Sequence, residues 1–294
     1  AMSIFQRRLA SSTWALLRSL ERRLEKLDGL IEDIQSGRLT EEQLAAYQRK
    51  LDKTPDVLDR MTADEEEPQE GREQNEVAED QALTGVVATS LAELQAERGE
   101  VSHLLGLARR VLASGEESKF EKLREVVQDE RFQDEKILIF TEHRDTLDYL
   151  VRRLEGLGYT GRVAHIHGGM DYQEREAQVA FFRRPNREGG ANLMVATDAA
   201  GEGINLQFCW LMVNYDLPWN PARLEQRMGR VHRYKQRHDP VLIFNLVAGK
   251  TREGRVLKTL LEKLEQIRRE LGSDKVFDVI GLQFEGVSLK ELIL

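Results

Sequence analysis

The sequence has one cysteine, Cys209, among 294 residues. That excludes a disulfide framework and any zinc site built on several thiolates, and it points to a reducing, cytoplasmic setting. No apolar run approaches the roughly 18 residues a bilayer-spanning helix needs, and 32% of the residues are charged, so insertion into a membrane is not expected. No secretory leader is expected either, because Arg7, Arg8 and Arg18 interrupt the first twenty residues before an apolar segment can form. An excess of basic residues is also missing. The net charge of -8 would ordinarily speak against a nucleic-acid partner, since phosphate neutralisation needs Lys and Arg.

The location of that charge removes the objection. From Asp64 to Asp80 there are nine acids and a single base, Arg72, which accounts for the entire net charge and leaves the rest of the chain neutral. An acidic stretch containing Pro and Gln beside a neutral body has the composition of a solvated linker, and residues 62–75 are the expected disordered segment. The length allows about two domains at roughly 150 residues each.

Ahead of the linker, Leu17, Leu20, Leu24, Leu27, Ile31 and Ile34 step by three and four, the seam of one long helix that Gly37 ends. Beyond it, Val87, Leu91, Leu94, Val101, Leu105, Ala108 and Leu112 repeat the rhythm. The two helices are expected to pack antiparallel, joined by a shorter helix over 41–51. Arg7, Arg8, Arg18, Arg22, Arg23 and Lys26 are assigned to the outer, solvated face.

From Lys136 onward, short apolar runs alternate with amphipathic segments, the signature of an α/β fold. Strands are expected over 136–141, 163–167, 192–197, 211–215 and 241–246, with helices over 144–157, 172–182, 221–232 and 253–270. Runs such as Ile137-Leu138-Ile139-Phe140 are apolar throughout, as strands covered on both faces must be, so the sheet is expected to be mainly parallel. Ligands of such sheets sit at the carboxyl ends of the strands.

Three tempting motifs fail. Gly249-Lys250-Thr251 resembles the end of a phosphate-binding loop, but the first glycine of that motif would fall on Phe244, inside a strand. Gly201-Glu202-Gly203 begins a dinucleotide fingerprint whose third glycine position is Leu206, which disfavours a cofactor-dependent α/β enzyme. His165 and His167, two apart at a strand end, are expected on opposite sides of the sheet with no carboxylate to complete a metal site.

The informative stretch runs from Asp216-Leu217-Pro218-Trp219-Asn220-Pro221 into Gln226-Arg227-Met228-Gly229-Arg230-Val231-His232-Arg233-Tyr234-Lys235-Gln236. Asn220 can cap a helix that opens on Pro221. At about 100° per residue, Gln226, Arg230 and Arg233 share one face of that helix. Arg223, Arg227, Arg230, Arg233 and Arg237, crowded beside Gly229, suggest a polyanion held closely.

Gln226 to Gln236 resembles motif VI of superfamily-two helicases in the spacing of Swi/Snf-type ATPases. Thr197 to Leu206 resembles motif V and Ile139-Phe140-Thr141-Glu142 motif IV, while Gly168-Gly169 with Arg175 is similar to the segment after the second strand. Gln6 to Ser12, followed by an arginine-rich leucine helix, resembles the region ahead of the second lobe in bacterial RapA-like members. The resemblance implies a RecA-like parallel sheet sandwiched by helices over 116–272, an all-α, coiled-coil-like domain over 1–115, and a C-terminal extension over 273–294.

It also implies roles. Arg230 and Arg233 would be arginine fingers on a transferring phosphoryl group, positioned with the help of Gln226. Glu202, Gly203 and Asn205 would face the nucleotide, while Thr141, Gly168, Gly169 and Thr197 would meet nucleic-acid phosphates. ATP and Mg2+ are the implied cofactors. No Gly-x-x-x-x-Gly-Lys-Thr loop or Asp-Glu strand end occurs in the sequence, so they would be bound mainly by an N-terminal RecA-like lobe of the same polypeptide, and this chain alone would be inactive. The implied function is the second motor lobe of an ATP-dependent translocase on double-stranded DNA. Asp198 after Thr197, and Tyr234-Lys235 where Ile-Gly is usual, keep RNA open. The alternative is a nucleic-acid-binding or scaffold module with no motor role.

Overall fold

A computed structural model describes residues 2–51, 88, 90–114, 118–198, 206–218, 221–231 and 241–246. The chain divides into two compact units, Ala1–Glu117 and Ser118–Leu294. The acidic segment 62–75, the helix expected over 253–270 and the extension 273–294 lie outside the described residues. Among the described residues, no helix is long and apolar enough to cross a membrane.

The first unit holds α1 (Met2–Ser11), α2 (Thr13–Gln35), α3 (Glu41–Leu51) and α4 (Leu91–Ser114). Ser12 starts α2 by accepting the Ala15 N–H on its hydroxyl at 3.0 Å, which satisfies one of the orphan donors of the first turn. Leu17, Leu20 and Leu27 of α2 are buried in one core with Leu94, Val101 and Leu105 of α4, as the two seams require. Ion pairs link Arg23 to Glu97, Asp28 to Arg98 and Glu21 to Arg109. From Asp28 to Glu21 the partners climb from 98 to 109, so the helices run antiparallel. Three of the arginines assigned to the outer face are instead buried: Arg7, Arg8 and Arg23. Arg23 sits beside the seam, and its Nε donates to Glu97 Oε1 at 2.7 Å, so its charge is answered by the opposite helix and not by water.

The second unit opens with α5 (Ser118–Val127) and continues through β1 (Ile137–Thr141), α6 (Arg144–Leu154), β2 (Val163–Ile166), α7 (Tyr172–Arg183), β3 (Leu193–Thr197), β4 (Leu211–Asn214), α8 (Pro221–Val231) and β5 (Leu242–Asn245). All five strands are parallel, in the order β2-β3-β1-β4-β5. Helices flank the sheet in the RecA-like manner, and every residue of β1, β3 and β4 is buried. Leu138, Phe140, Met194, Ala196 and Met212 pack with Val179 and Phe182 of α7 and Val231 of α8. Helix α6 contacts β1, β2 and β3. Helix α7 begins with a full capping box, Asp171 and Glu174 each accepting the other's N–H.

The turn from α7 to β3 is pinned at the opposite end of the sheet from the strand carboxyl ends. Lys136 Nζ donates to the Arg184 and Ala191 carbonyls and to Asn186 Oδ1, each at 2.6 Å. Burial pulls its pKa down to about 8. Gly190 closes this turn so tightly that a Cβ there would lie 1.9 Å from the Arg184 carbonyl oxygen. Backbone cannot swing aside as a flexible side chain would. Gly190→Ala is therefore expected to cost about 1–3 kcal/mol of unfolding free energy, read by urea denaturation; an unchanged midpoint would refute the close approach.

Candidate functional site

The carboxyl ends of β1, β3 and β4 lie side by side, which gathers Thr141, Thr197, Asp198, Asn214 and Asp216 against the inner face of α8. The residue at the centre is Arg227, 2% exposed. Its Nε and Nη2 donate to Asp198 Oδ1 and Oδ2 at 2.5 and 2.7 Å. Its Nη1 donates to Asn214 Oδ1 at 3.1 Å and to the Asp216 carbonyl at 2.5 Å, and its guanidinium lies 5.2 Å from the centre of the Phe140 ring. Burial alone would favour loss of its proton, but Asp198, Asp216 and Glu142 outweigh that and raise its pKa above the ordinary value. Counted by sequence among the arginines meeting a polyanion, Arg227 faces the protein interior because it lies about 100° around the helix from Gln226.

Anchoring α8 by Arg227 and Val231 leaves Gln226 exposed and Arg230 half-buried. The residues meant to complete this face and its nucleotide contacts, Arg233, Glu202, Gly203 and Asn205, lie outside the described residues. Asp216, just past β4, is the second hub: its Oδ2 accepts the Thr141 hydroxyl at 2.5 Å and the Glu142 N–H at 3.2 Å, and its Oδ1 accepts from Lys119 Nζ at 2.6 Å. Thr141, expected to meet nucleic acid, is fully buried. A hydroxyl already given to a carboxylate inside the fold cannot be offered to a phosphate. Thr197 is also buried, and among the described residues its hydroxyl has no partner.

At the end of β2 the chain turns through Gly168 and Gly169. Arg175 of α7 shapes this turn by donating to the Gly168 carbonyl at 2.7 Å and the Met170 carbonyl at 2.9 Å. Gly169 is exposed, and a Cβ there would lie 3.4 Å from Arg144 Nη1 and 3.5 Å from His167 Nδ1, so main chain, guanidinium and imidazole converge. His165 and His167 are stacked, with ring centres 6.3 Å apart, and so share one side of the sheet. The expected placement on opposite sides is corrected by the two-residue period of extended chain. Burial and the Arg144 charge lower the pKa of His167. Among the described residues, no group of three or more His, Cys, Asp or Glu could hold a metal ion.

Sequence reasoning missed Lys119, Asp198, Asn214 and Asp216 as a set. For Asp198, Asn214 and Asp216 the available signal was their position at or just past strand ends, where α/β sites form; Lys119, in the first turn of α5, carried no such signal.

Residues 118–235 match the family described as "Helicase conserved C-terminal domain". The chain is 43% identical over 139 residues to an uncharacterised ATP-dependent helicase of Bacillus subtilis, an alignment covering 47% of this chain and 24% of that one. It is 37% identical over 126 residues to the RNA polymerase-associated protein RapA of Vibrio atlanticus, covering 42% and 12% respectively. The chain thus spans at most about a quarter of these relatives. The C-terminal part of the Fun30 ATPase domain superposes with a TM-score of 0.41 at 24% identity over 48% of this chain and 43% of that one. For Saccharomyces cerevisiae Dbp5 bound to RNA and ADP BeF3, the values are 0.40, 25%, 49% and 35%. With its parallel sheet and motif-bearing strand ends, the second unit contains a helicase C-terminal lobe. The lobe is similar to the matching parts of an ATP-dependent helicase and of RapA.

Because Asp198 and Arg227 are both largely desolvated, removing one leaves the other charge uncompensated. Arg227→Met is expected to lower stability by about 3–5 kcal/mol in urea unfolding, and Arg227→Met with Asp198→Asn to recover part of that loss. Arg227→Lys should rescue poorly, since an ammonium cannot bridge both carboxylate oxygens in the same plane. A loss in the double variant equal to the sum of the two single losses would show that the pair is not coupled.

Proposed function

We propose that residues 118–235 act as the second motor lobe of an ATP-driven nucleic-acid translocase. The observation that supports this most is the way Arg227 fastens α8 from inside, so that Gln226 and Arg230 are presented from a fixed helix at the strand carboxyl ends. Arg230 and Arg233 neutralise charge developing on the transferred phosphoryl group, and Gln226 orients them. Glu202, Gly203 and Asn205 take the ribose and phosphate side of the nucleotide. ATP and Mg2+ are held mainly by an N-terminal RecA-like lobe of the same polypeptide.

The nucleic-acid track runs over Gly168 and Gly169, whose lack of side chains lets main-chain N–H donors approach phosphate, with the Thr197 hydroxyl as a third donor. Relatives named as an ATP-dependent helicase and as an RNA polymerase-associated protein are consistent with a remodeller of DNA-bound complexes. Double-stranded DNA is the proposed substrate. The Asp198–Arg227 pair supplies a reason for Asp198 that is internal to the fold, so this residue does not argue for RNA.

In an enzyme containing both lobes, Arg230→Ala should lower kcat by about 10³ or more with little change in KM for ATP, as expected of a group acting in the transition state. A loss confined to KM would overturn the finger assignment. This chain alone should show no ATP turnover. Its affinity for nucleic acid should be on the order of 10⁻⁴ to 10⁻⁶ M, equal for two unrelated duplexes and weaker as salt rises. Fluorescence titration at two salt concentrations reads this directly, and tight, salt-independent binding would favour a dedicated binding module.

A further inference from the structure

The Asp216 carboxylate serves two elements while its main chain serves a third. On one oxygen it accepts Lys119 Nζ from α5 at 2.6 Å. On the other it accepts the Thr141 hydroxyl and the Glu142 N–H at the end of β1. Its carbonyl accepts Arg227 Nη1 from α8 at 2.5 Å. The residue is 5% exposed, and the Lys119 side chain is 16% exposed, with Nζ 4.7 Å from the centre of the Tyr215 ring. Lys119 and Arg227 therefore grip opposite sides of one residue.

We infer that Lys119 and Asp216 are positioning residues for the arginine-bearing helix: the ion pair fixes Asp216, whose carbonyl helps set where Arg227 anchors α8 and hence where Arg230 points. The inference rests on the motor-lobe reading only in what Arg230 does; the coupling itself is a property of the fold. A charge-assisted contact at 2.6 Å with little solvent is worth more than a neutral hydrogen bond, and Asp216 has few alternative rotamers while both oxygens are held. Lys119 is the second residue of the unit that begins at Ser118. A displacement of the start of α5 therefore reaches α8 through Asp216.

The apolar side of α5 is separate from this contact. Phe120, Leu123 and Val127 are buried, with Phe120 edge-on to Tyr149 of α6 at 6.1 Å. Replacing Lys119 can thus loosen the polar tie without removing α5 from the lobe.

Hydrogen exchange of the intact chain, read by mass spectrometry without nucleotide, tests the coupling. Lys119→Met should raise exchange in α8 by about tenfold while α6 and α7 stay unchanged, and Lys119→Arg should restore it. Asp216→Asn, which keeps an acceptor for Thr141, should give the same α8 phenotype, and combining it with Lys119→Met should add little. In an enzyme with both lobes, Lys119→Met should lower kcat about tenfold at unchanged KM. Faster exchange confined to α5, a uniform rise across the lobe, or failure of Lys119→Arg to rescue would each overturn the inference. A kcat insensitive to Arg230→Ala would defeat the motor reading instead, and would leave the exchange result standing.

Discussion

A guanidinium in the interior must be answered on every side, and the arrangement of the strand carboxyl ends follows from how Arg227 is answered. Five donors in a rigid plane cannot be satisfied by one carboxylate. The fold brings Asp198 from the end of β3, Asn214 from β4 and the Asp216 carbonyl from the next turn to the same group. The partners come from the ends of two strands, β3 and β4, with β1 between them, so the contact forms only when the sheet order is correct. It fixes the rotation of α8 about its axis, and that rotation decides which residues of the helix face outward.

Charge and packing act together here. Val231 and Arg227 lie on the buried face of one helix, and the first drives burial while the second gives it direction. Apolar contact alone tolerates sliding, whereas a bidentate pair with a carboxylate has one geometry. The parallel sheet adds the second requirement, since buried faces on both sides leave only the strand ends free for chemistry. Gly168 and Gly169, at the end of β2, belong to this same edge. Their turn is held from outside the strand by Arg175 of α7.

Much of this is legible in the sequence because it depends on local period. The apolar runs at 137–141, 193–197 and 211–214 are strands with both faces covered, and the leucine seams of α2 and α4 pack as their spacing demands. Sequence and structure part where a polar side chain has a partner far away in the chain. Arg23 is polar and beside a seam, so composition places it in water, yet Glu97 draws it inward. Arg227 groups with its basic neighbours in sequence, yet Asp198 and the Asp216 carbonyl claim it. Thr141, assigned by resemblance to a phosphate, belongs to Asp216. The two histidines differ for another reason, since residues two apart on extended chain share a side.

The sequence by itself determined the class of fold, the order of its elements and the identity of the motif residues, because helix and strand periods, caps and fixed spacings are encoded within short windows. Only the tertiary structure decided which charged groups are structural and which are presented at the edge. That choice depends on desolvation and on pairings such as Lys119 with Asp216 and Asp198 with Arg227, between residues far apart in the chain, and no local window contains the burial that sets their energy.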